Sequence, residues 1–265
     1  MKTFLLLLIL LLSPLYAKGI KAGYDVSFGI VGEIGKAEIT YTQEKDSYTI
    51  IAHAWTTGMS ALLTQNREEI YISQGKIIDN DLRPDVFVKF KQSDRYTKSS
   101  VYLFEHKDKK VFVHKANEHY GTESHYDVNT MKTVKIDSLE FDFKEDLFRF
   151  YTGNDLLSLF FNTKKILPTL KSGEKKELAA IGSKTPNCII DIEAPDDEQR
   201  KILQEVMSDD ESMLVTIILH QNIFQSKEGR LHVALDEEGF ATNVLLKDVI
   251  LFGDIRGERT YLKKL

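Results

Sequence analysis

The stretch YDVSFGIVGEIGKAEITYTQEKDSYTIIAHAWTTG, residues 24–58, decides the fold class. Apolar and polar residues alternate over residues 24–30, and two further runs follow at residues 36–42 and 48–56. A glycine-rich bend and a polar turn separate the three runs. Period-two alternation bounded by turn residues is typical of half-buried antiparallel strands. The sequence therefore predicts a three-stranded meander at the start of the mature protein, to which the rest of the sheet is added.

Three glycines interrupt the first two runs, at Gly29, Gly32 and Gly35. Their spacing is loosely that of a phosphate-binding loop, but the Lys-Ser/Thr pair and the following helix of such a loop are absent. We interpret them instead as a bend or bulge in the sheet. Gly32 and Gly35 are accordingly predicted to lie at a strand end or bend.

The N-terminal segment MKTFLLLLILLLSPLYA, residues 1–17, has the pattern of a secretory signal peptide. Lys2 precedes an apolar run of nine residues, and Ala17 supplies a small residue for cleavage. Because a bilayer span needs about 20 apolar residues, the run is short for a transmembrane helix. The large Leu15 at position −3 keeps an uncleaved anchor as the alternative. We predict a single β-rich periplasmic domain, residues 18–265, with no transmembrane span after cleavage.

Composition narrows the class of protein further. Apolar residues make up 42% of the 265 residues, which is enough for a substantial core. The net charge of −5 gives no electrostatic footprint for nucleic acid. Cys188 is the only cysteine, so no intrachain disulfide forms, and its apolar neighbours predict a buried strand residue rather than a nucleophile. No cofactor is predicted.

Two hairpins are predicted in the middle of the chain. Residues 74–75 (Gln-Gly) separate two short runs, and residues 107–109 (Lys-Asp-Lys) separate two longer ones. In the second hairpin, Tyr102, Phe104 and Phe112 are expected to share one face of the sheet, opposite the face of the valines and leucine.

Two helices are predicted, near residues 153–166 and near residues 195–207. The first has Thr152 or Asn154 as a candidate N-cap and is too apolar for an exposed helix, so it is expected to plug a concave sheet or barrel mouth. The second begins near Pro195, with acidic residues in its first turn.

The last run, residues 254–262, is followed by lysines. Its basic residues predict a solvated edge strand that discourages edge-to-edge pairing, with contact to an anionic lipid or partner as the alternative.

Three segments resemble the domain of unknown function 3108 family of exported bacterial β-rich proteins. They are YDVSFGIVGEIGKAEI at residues 24–39, GMSALL at residues 58–63 and LHVALDEEGFATNVLLKDVILFGDIRGE at residues 231–258. The resemblance implies a periplasmic, mainly β protein with a large curved antiparallel sheet or open half-barrel. By analogy, this fold is comparable with that of lipoprotein-carrier proteins, an analogy of fold and not of function. The family brings no catalytic residues to this chain.

Histidines and glutamates cluster between residues 114 and 125. Imidazole and carboxylate groups bind zinc, so His114, His119 and His125 are the candidate metal ligands. However, the spacing HKANEH is one residue longer than the inverted zincin pattern, and that pattern needs a helix. In a strand, His119 and His125 face one side and His114 the other. A solvated polar hairpin with no metal is therefore the favoured interpretation.

We expect a non-catalytic periplasmic protein that binds a hydrophobic or lipid-like ligand or acts in envelope assembly. Phe104, Phe112, Leu156 and Phe160 are the candidate binding residues. The alternative is a structural scaffold that docks to another envelope protein through a sheet edge. A hydrolase is the third hypothesis, and it requires Ser, His and acidic side chains from distant segments to converge, since Ser60 lacks the flanking pattern of a nucleophile elbow.

Overall fold

The structure, a computed structural model, describes residues 18–127, 131–183, 187–207, 213–220, 229–249 and 253–265. Within these residues, fourteen strands form one antiparallel sheet and three helices accompany it. The strands are β1 (Lys18–Phe28), β2 (Gly32–Glu44), β3 (Ser47–Thr56), β4 (Glu68–Ile78), β5 (Asp81–Ser93), β6 (Tyr96–Glu105), β7 (Lys110–Asp127), β8 (Lys132–Leu147), β9 (Lys175–Ala179), β10 (Ile189–Glu193), β11 (Met213–Ile218), β12 (Arg230–Leu235), β13 (Ala241–Val249) and β14 (Gly253–Lys264). The helices are α1 (Gly58–Thr64), α2 (Leu156–Ile166) and α3 (Asp197–Met207). The predictions of a mainly β fold and of two helices near residues 153–166 and 195–207 are confirmed.

The sheet is open, with β8 at one edge and β9 at the other. Its order is β8-β7-β6-β5-β4-β3-β2-β1-β14-β13-β12-β11-β10-β9. The first and last strands of the chain therefore pair in the interior of the sheet, from Ile20 opposite Lys264 to Phe28 opposite Ile255. The prediction that the C-terminal strand is an edge strand is wrong. Both sides of β14 are paired, because β1 and β13 each present a complementary backbone edge to it.

The glycines of the opening stretch bend the sheet as predicted. Gly32, with a φ of 83°, starts β2 after a 3-10 turn at Gly29–Val31. Gly35 lies opposite Val26, next to a register shift between β1 and β2. A Cβ atom at position 35 would lie 2.6 Å from the carbonyl oxygen of Trp55, so only glycine permits this close approach.

The hairpin predicted at residues 74–75 is wrong. β4 runs through these residues with a bulge. The backbone of β5 lies so close to Gly75 there that a Cβ atom at position 75 would be 2.0 Å from the carbonyl oxygen of Arg83. The turn comes at Asp79 and Asn80, whose φ angles are 51° and 65°. Positive φ at both central residues is what a two-residue type I′ turn requires.

The β6–β7 hairpin forms, but its faces differ from the prediction. Glu105 pairs with Lys110, so the turn contains four residues rather than three. This register places Tyr102 opposite Val113 and Phe104 opposite Val111, so Phe112 faces the other side of the sheet. One extra turn residue is enough to move Phe112 to the opposite face, since alternate residues of a strand point to opposite faces.

Helix α2 plugs the concave face of the sheet, as predicted. The side chain of Leu156, at the start of the helix, packs against two core clusters. One cluster includes Val113 on β7, and the other includes Ile190 on β10. Eleven strand spacings separate β7 from β10, which is roughly 50 Å in a flat sheet. An 11-residue helix is only about 16 Å long. The sheet must therefore curve around α2.

Buried polar groups fix α2 on the sheet. Asp155 is the N-cap, in place of the predicted Thr152 or Asn154, because Ser158 completes a reciprocal capping box with it. The carboxylate also accepts a 2.6 Å hydrogen bond from Ser73 on β4, and Tyr48 on β3 hydrogen-bonds Ser73 at 3.0 Å.

Two turns along the helix from Asp155, Asn162 accepts a hydrogen bond from the Leu82 N–H and donates one to the Leu82 carbonyl. Every polar group of this anchor is paired, which reduces the cost of burying α2.

Helix α3 packs on the opposite, convex face. Asp196 caps it by accepting a hydrogen bond from the Gln199 N–H, and Pro195 precedes the cap. Leu203 and Met207 pack against side chains of β11, β12 and β13. In the described part of the chain, no helix is long and apolar enough to cross a membrane.

Asp155 makes stability depend on pH. Burial raises the pKa of its carboxyl from 3.8 to about 6. Since the folded-state pKa lies above the unfolded-state value, this group's contribution to stability is complete below pH 3.8 and is lost as the pH rises to about 6. A shift of this size corresponds to about 3 kcal/mol.

Asp155→Asn keeps the N-cap without the charge, because Asn and Asp cap equally well. We expect its free energy of unfolding, measured by urea denaturation between pH 4 and pH 7, to lack this fall. Asp196→Asn, at the exposed cap of α3, is the matched control and should retain the fall. Parallel profiles for wild type and Asp155→Asn would contradict the assignment.

Candidate ligand-binding site

The concave face is open beyond the N-terminal end of α2, over β5 to β8. A cavity of about 620 Å³ lies there, within the range typical of small-molecule sites. The sheet forms its floor, and two chain segments, at residues 148–149 and 182–183, form its wall. The lining residues are Lys89, Tyr102, Val113, Lys115, Lys144, Asp146, Leu147, Phe148, Arg149, Gly182 and Ser183.

The floor of the cavity is apolar. Tyr102 and Val113 are buried cross-strand neighbours on β6 and β7. Half-buried Phe148 meets the Tyr102 ring edge-on, with ring centroids 6.0 Å apart. The cavity therefore presents apolar surface, and the core behind Tyr102 and Val113 remains packed.

A row of basic residues borders this floor. Lys89 on β5 pairs with Ser100 on β6, Ser100 with Lys115 on β7, and Lys115 with Lys144 on β8. Cross-strand partners lie side by side on one face. The three lysines and Ser100 therefore form one row across four strands, which we call the lysine row. Lys115 and Lys144 are directly opposite each other, an arrangement that destabilises a sheet.

The cavity is positively charged in an acidic protein. Lys89, Lys115, Lys144 and Arg149 supply four positive charges and Asp146 one negative charge, which leaves +3, whereas the whole chain carries −5. Asp146 lies 3.2 Å from the Lys144 ammonium, which lowers the pKa of that carboxyl.

Lys89 ties the row to the cavity wall. Its ammonium donates a 2.8 Å hydrogen bond to the Gly182 carbonyl and lies 5.5 Å from the centre of the Tyr71 ring. Gly182 has a φ of 105°, and a Cβ atom there would lie 2.5 Å from Phe87. A side chain at this position would push the wall off the sheet.

A second, open cavity of about 990 Å³ lies where β7 and β8 extend past β6. Asp94, Asp137 and Arg95 line it and give a net charge of −1. It has no floor of buried aromatic side chains, and its net charge is smaller than that of the first cavity, so the first cavity is the better candidate.

The four predicted binding residues lie outside the lining of the first cavity. Phe104 is buried on the concave face, whereas Phe112 is 40% exposed on the convex face. Leu156 and Phe160 pack into the core on α2. The structure therefore brings Leu156 and Phe160 together but separates them from Phe112.

The predicted metal candidates do not converge. His114 points to the convex face of β7 and hydrogen-bonds Glu145 at 3.0 Å. His119 points to the concave face and packs against Tyr96. The backbone of His125 pairs with Val134, but its side chain lies outside the described part. Among the side chains that the structure does describe, no group of three or more His, Cys, Asp or Glu residues could hold a metal ion.

Of the remaining described histidines, His53 lies on β3 and His106 follows β6, whereas His220 follows β11 and His232 lies on the neighbouring β12. His53 pairs with Glu68, His106 with Tyr151, His220 with Asp191 and His232 with Thr216. Cys188, immediately before β10, is fully buried, and burial raises the pKa of its thiol. The convergence of Ser, His and acid that a hydrolase requires is absent among these residues.

The convex face of edge strand β8 carries an apolar stripe. Leu139 and Phe141 are each 62% exposed, and Phe143 is 53% exposed. β8 pairs only with β7 among the described strands, so its outer backbone edge is open. Large exposed apolar side chains on an unpaired edge mark a surface suited to strand addition.

Sequence reasoning missed the lysine row. Alternation shows that Lys115 shares a face with Val113, but nothing in the sequence shows which residue of β8 lies opposite Lys115. That depends on the length of the β7–β8 connection and on the register. The one signal available was that Lys89 and Lys115 each lie two residues along a strand from an apolar residue, Phe87 and Val113 respectively.

The fold and site define a class: open, helix-plugged antiparallel β proteins with a basic cavity on the concave face. The chain belongs to the family described as Protein of unknown function (DUF3108), whose model matches residues 23–176. The match covers more than half of the chain and every residue of the lysine row. No curated protein and no solved structure matches the chain.

The lysine row should cost the unliganded protein stability. Lys115→Gln removes the repulsion across β7 and β8, so we expect a small rise in the urea midpoint at low salt. At 1 M NaCl, where the Debye length is about 3 Å, the rise should vanish. Lys107→Gln, in the exposed β6–β7 turn, should change the midpoint at neither salt concentration. A fall in midpoint for Lys115→Gln would show that the row is stabilising.

Proposed function

We propose that this protein is an exported, non-catalytic periplasmic protein that binds a lipid-like ligand in the concave cavity. The observation that carries the proposal is the cavity of about 620 Å³, which joins an apolar floor to a charged border. Amphiphiles have the same division into apolar and polar parts. Export is supported by the signal-peptide pattern of residues 1–17.

The position of α2 supports the choice of this part of the concave face. The helix fills the space between β3–β5 and β10–β12 with its own apolar side chains, including Leu159 and Phe161. Over β6 to β8, the described chain adds the start of α2 at Leu156 and Leu157 and the wall segments, and the cavity remains beside them. A ligand placed there contacts Tyr102, Val113 and Phe148 without displacing the helix.

Lipid binding is tested on protein recovered from its native envelope. We expect mass spectrometry of the purified protein to detect a bound lipid, and the delipidated protein to take up lipid from an extract and to displace a hydrophobic dye. Phe148→Asp places a charge on the cavity wall beside Tyr102 and should reduce uptake about tenfold or more, as expected when an apolar contact is replaced by a charge that must be desolvated.

Phe143→Asp is the matched control, because it makes the same change on the convex face of β8. It should leave lipid uptake unchanged. Thermal unfolding of both variants separates lost binding from lost folding. Delipidated wild-type protein that takes up neither lipid nor dye would refute the proposal.

A second candidate function is docking to another envelope protein through β8. The exposed stripe of Leu139, Phe141 and Phe143 on an unpaired edge favours it. The partner would supply an extended segment with apolar side chains on the convex side, as in other strand-addition interfaces.

The docking hypothesis predicts site-specific crosslinking in cells. A photo-crosslinking residue at Leu139 should give one dominant adduct, and Phe141→Asp together with Phe143→Asp should abolish it. Phe148→Asp, on the concave side, should leave the adduct intact. An adduct pattern that is the same in all variants would argue against docking through this edge.

A further inference from the structure

The lysine row places like charges side by side where neutral residues would give a more stable sheet. Lys115 and Lys144 are directly opposite on adjacent strands, and Arg149 lines the same cavity. Asp146 is engaged by Lys144, and no acid among the residues lining this cavity is placed opposite Lys115. Like charges held on adjacent strands at a cost in stability are typical of functional sites.

The chemistry of the row specifies a ligand with more than one negative charge. A lysine ammonium offers three donors and arginine five, and none of these groups can accept a hydrogen bond. Ionised phosphate oxygens only accept hydrogen bonds, and both side chains bind phosphate well. A cavity charge of +3 suits a phosphate monoester better than a single carboxylate.

The apolar floor lies next to the charges. Tyr102 and Val113 are each two residues along the strand from Ser100 and Lys115, so about 7 Å separates the two levels. This spacing matches a phosphate head group joined directly to an apolar chain.

We propose that the lysine row binds the phosphate of an anionic, phosphate-bearing amphiphile. The phosphate contacts Lys115, Lys144 and Arg149, and the apolar chain lies on Tyr102 and Phe148. This inference rests on the proposed lipid-binding function and adds the chemistry of the head group.

The test compares three probes by isothermal titration calorimetry. Dihexanoyl phosphatidic acid carries the net-anionic phosphate, dihexanoyl phosphatidylcholine has the same chains with the charge cancelled, and inorganic phosphate has no chains. We expect phosphatidic acid to bind about tenfold more tightly than either of the others, since hydrogen bonds to charged groups contribute this much. Its affinity should fall as NaCl rises from 50 to 300 mM.

Variants locate the phosphate. Lys115→Gln combined with Lys144→Gln should weaken phosphatidic acid about tenfold or more and leave phosphatidylcholine unchanged. Lys107→Gln combined with Lys109→Gln, in the exposed turn between the same two strands β6 and β7, removes equal charge and should change neither affinity. Thermal unfolding checks that each double variant is folded.

Each of the other possible binding results would refute a different part of the proposal. Equal affinities for the two lipids, with no effect of the Lys115 and Lys144 changes, would refute the phosphate site and leave lipid binding standing. Inorganic phosphate binding as tightly as phosphatidic acid would support the phosphate site and refute the lipid. No binding of any probe would refute both. Self-association of the Lys115 and Lys144 variant with unchanged lipid affinity would show that these lysines only protect the sheet edge.

Discussion

The fold depends on the burial of one helix inside one sheet, and that burial depends on a paired polar anchor. The Asp155 carboxylate is enclosed by Ser73, the N–H groups of Leu157 and Ser158, and apolar surroundings. An unpaired carboxylate at this depth would be far more costly. Because each oxygen has a donor, α2 can bury this polar side against β4 and β5 while its leucines and phenylalanines fill the space inside the sheet, which curves around it from β7 to β10.

The position of α2 also determines where concave surface stays open. The helix fills the concave face over the middle strands, and the cavity wall is formed by residues 148–149, which lead into the helix, and residues 182–183, which connect β9 to β10. In the described part of the chain, open concave surface beside buried aromatic residues lies over β6 to β8. Gly182 holds the wall close to Phe87, and Lys89 holds the same glycine through its carbonyl oxygen. The cavity therefore forms because the segments at residues 148–149 and 182–183 cross the concave face of the sheet.

Edge strand β8 has two different faces with two different chemistries. Its concave face contributes Lys144 and Asp146 to the cavity border, whereas its convex face exposes Leu139, Phe141 and Phe143. Strict alternation along the strand separates the two sets. The proposed ligand binding and the proposed edge docking therefore involve different residues of one strand, and substitutions can test each separately. The family match at residues 23–176 includes both faces.

The sequence by itself determined the local structure. Alternation and turn residues predicted antiparallel strands, the bends at Gly32 and Gly35, and two helices, because these features depend on neighbours within a few residues. Tertiary structure alone decided the register and the order of strands. One residue more in the β6–β7 turn moved Phe112 to the convex face, and the pairing of β1 with β14 placed a predicted edge in the interior. The lysine row belongs to this second group, since cross-strand neighbours are set by non-local pairing that alternation within one strand does not encode.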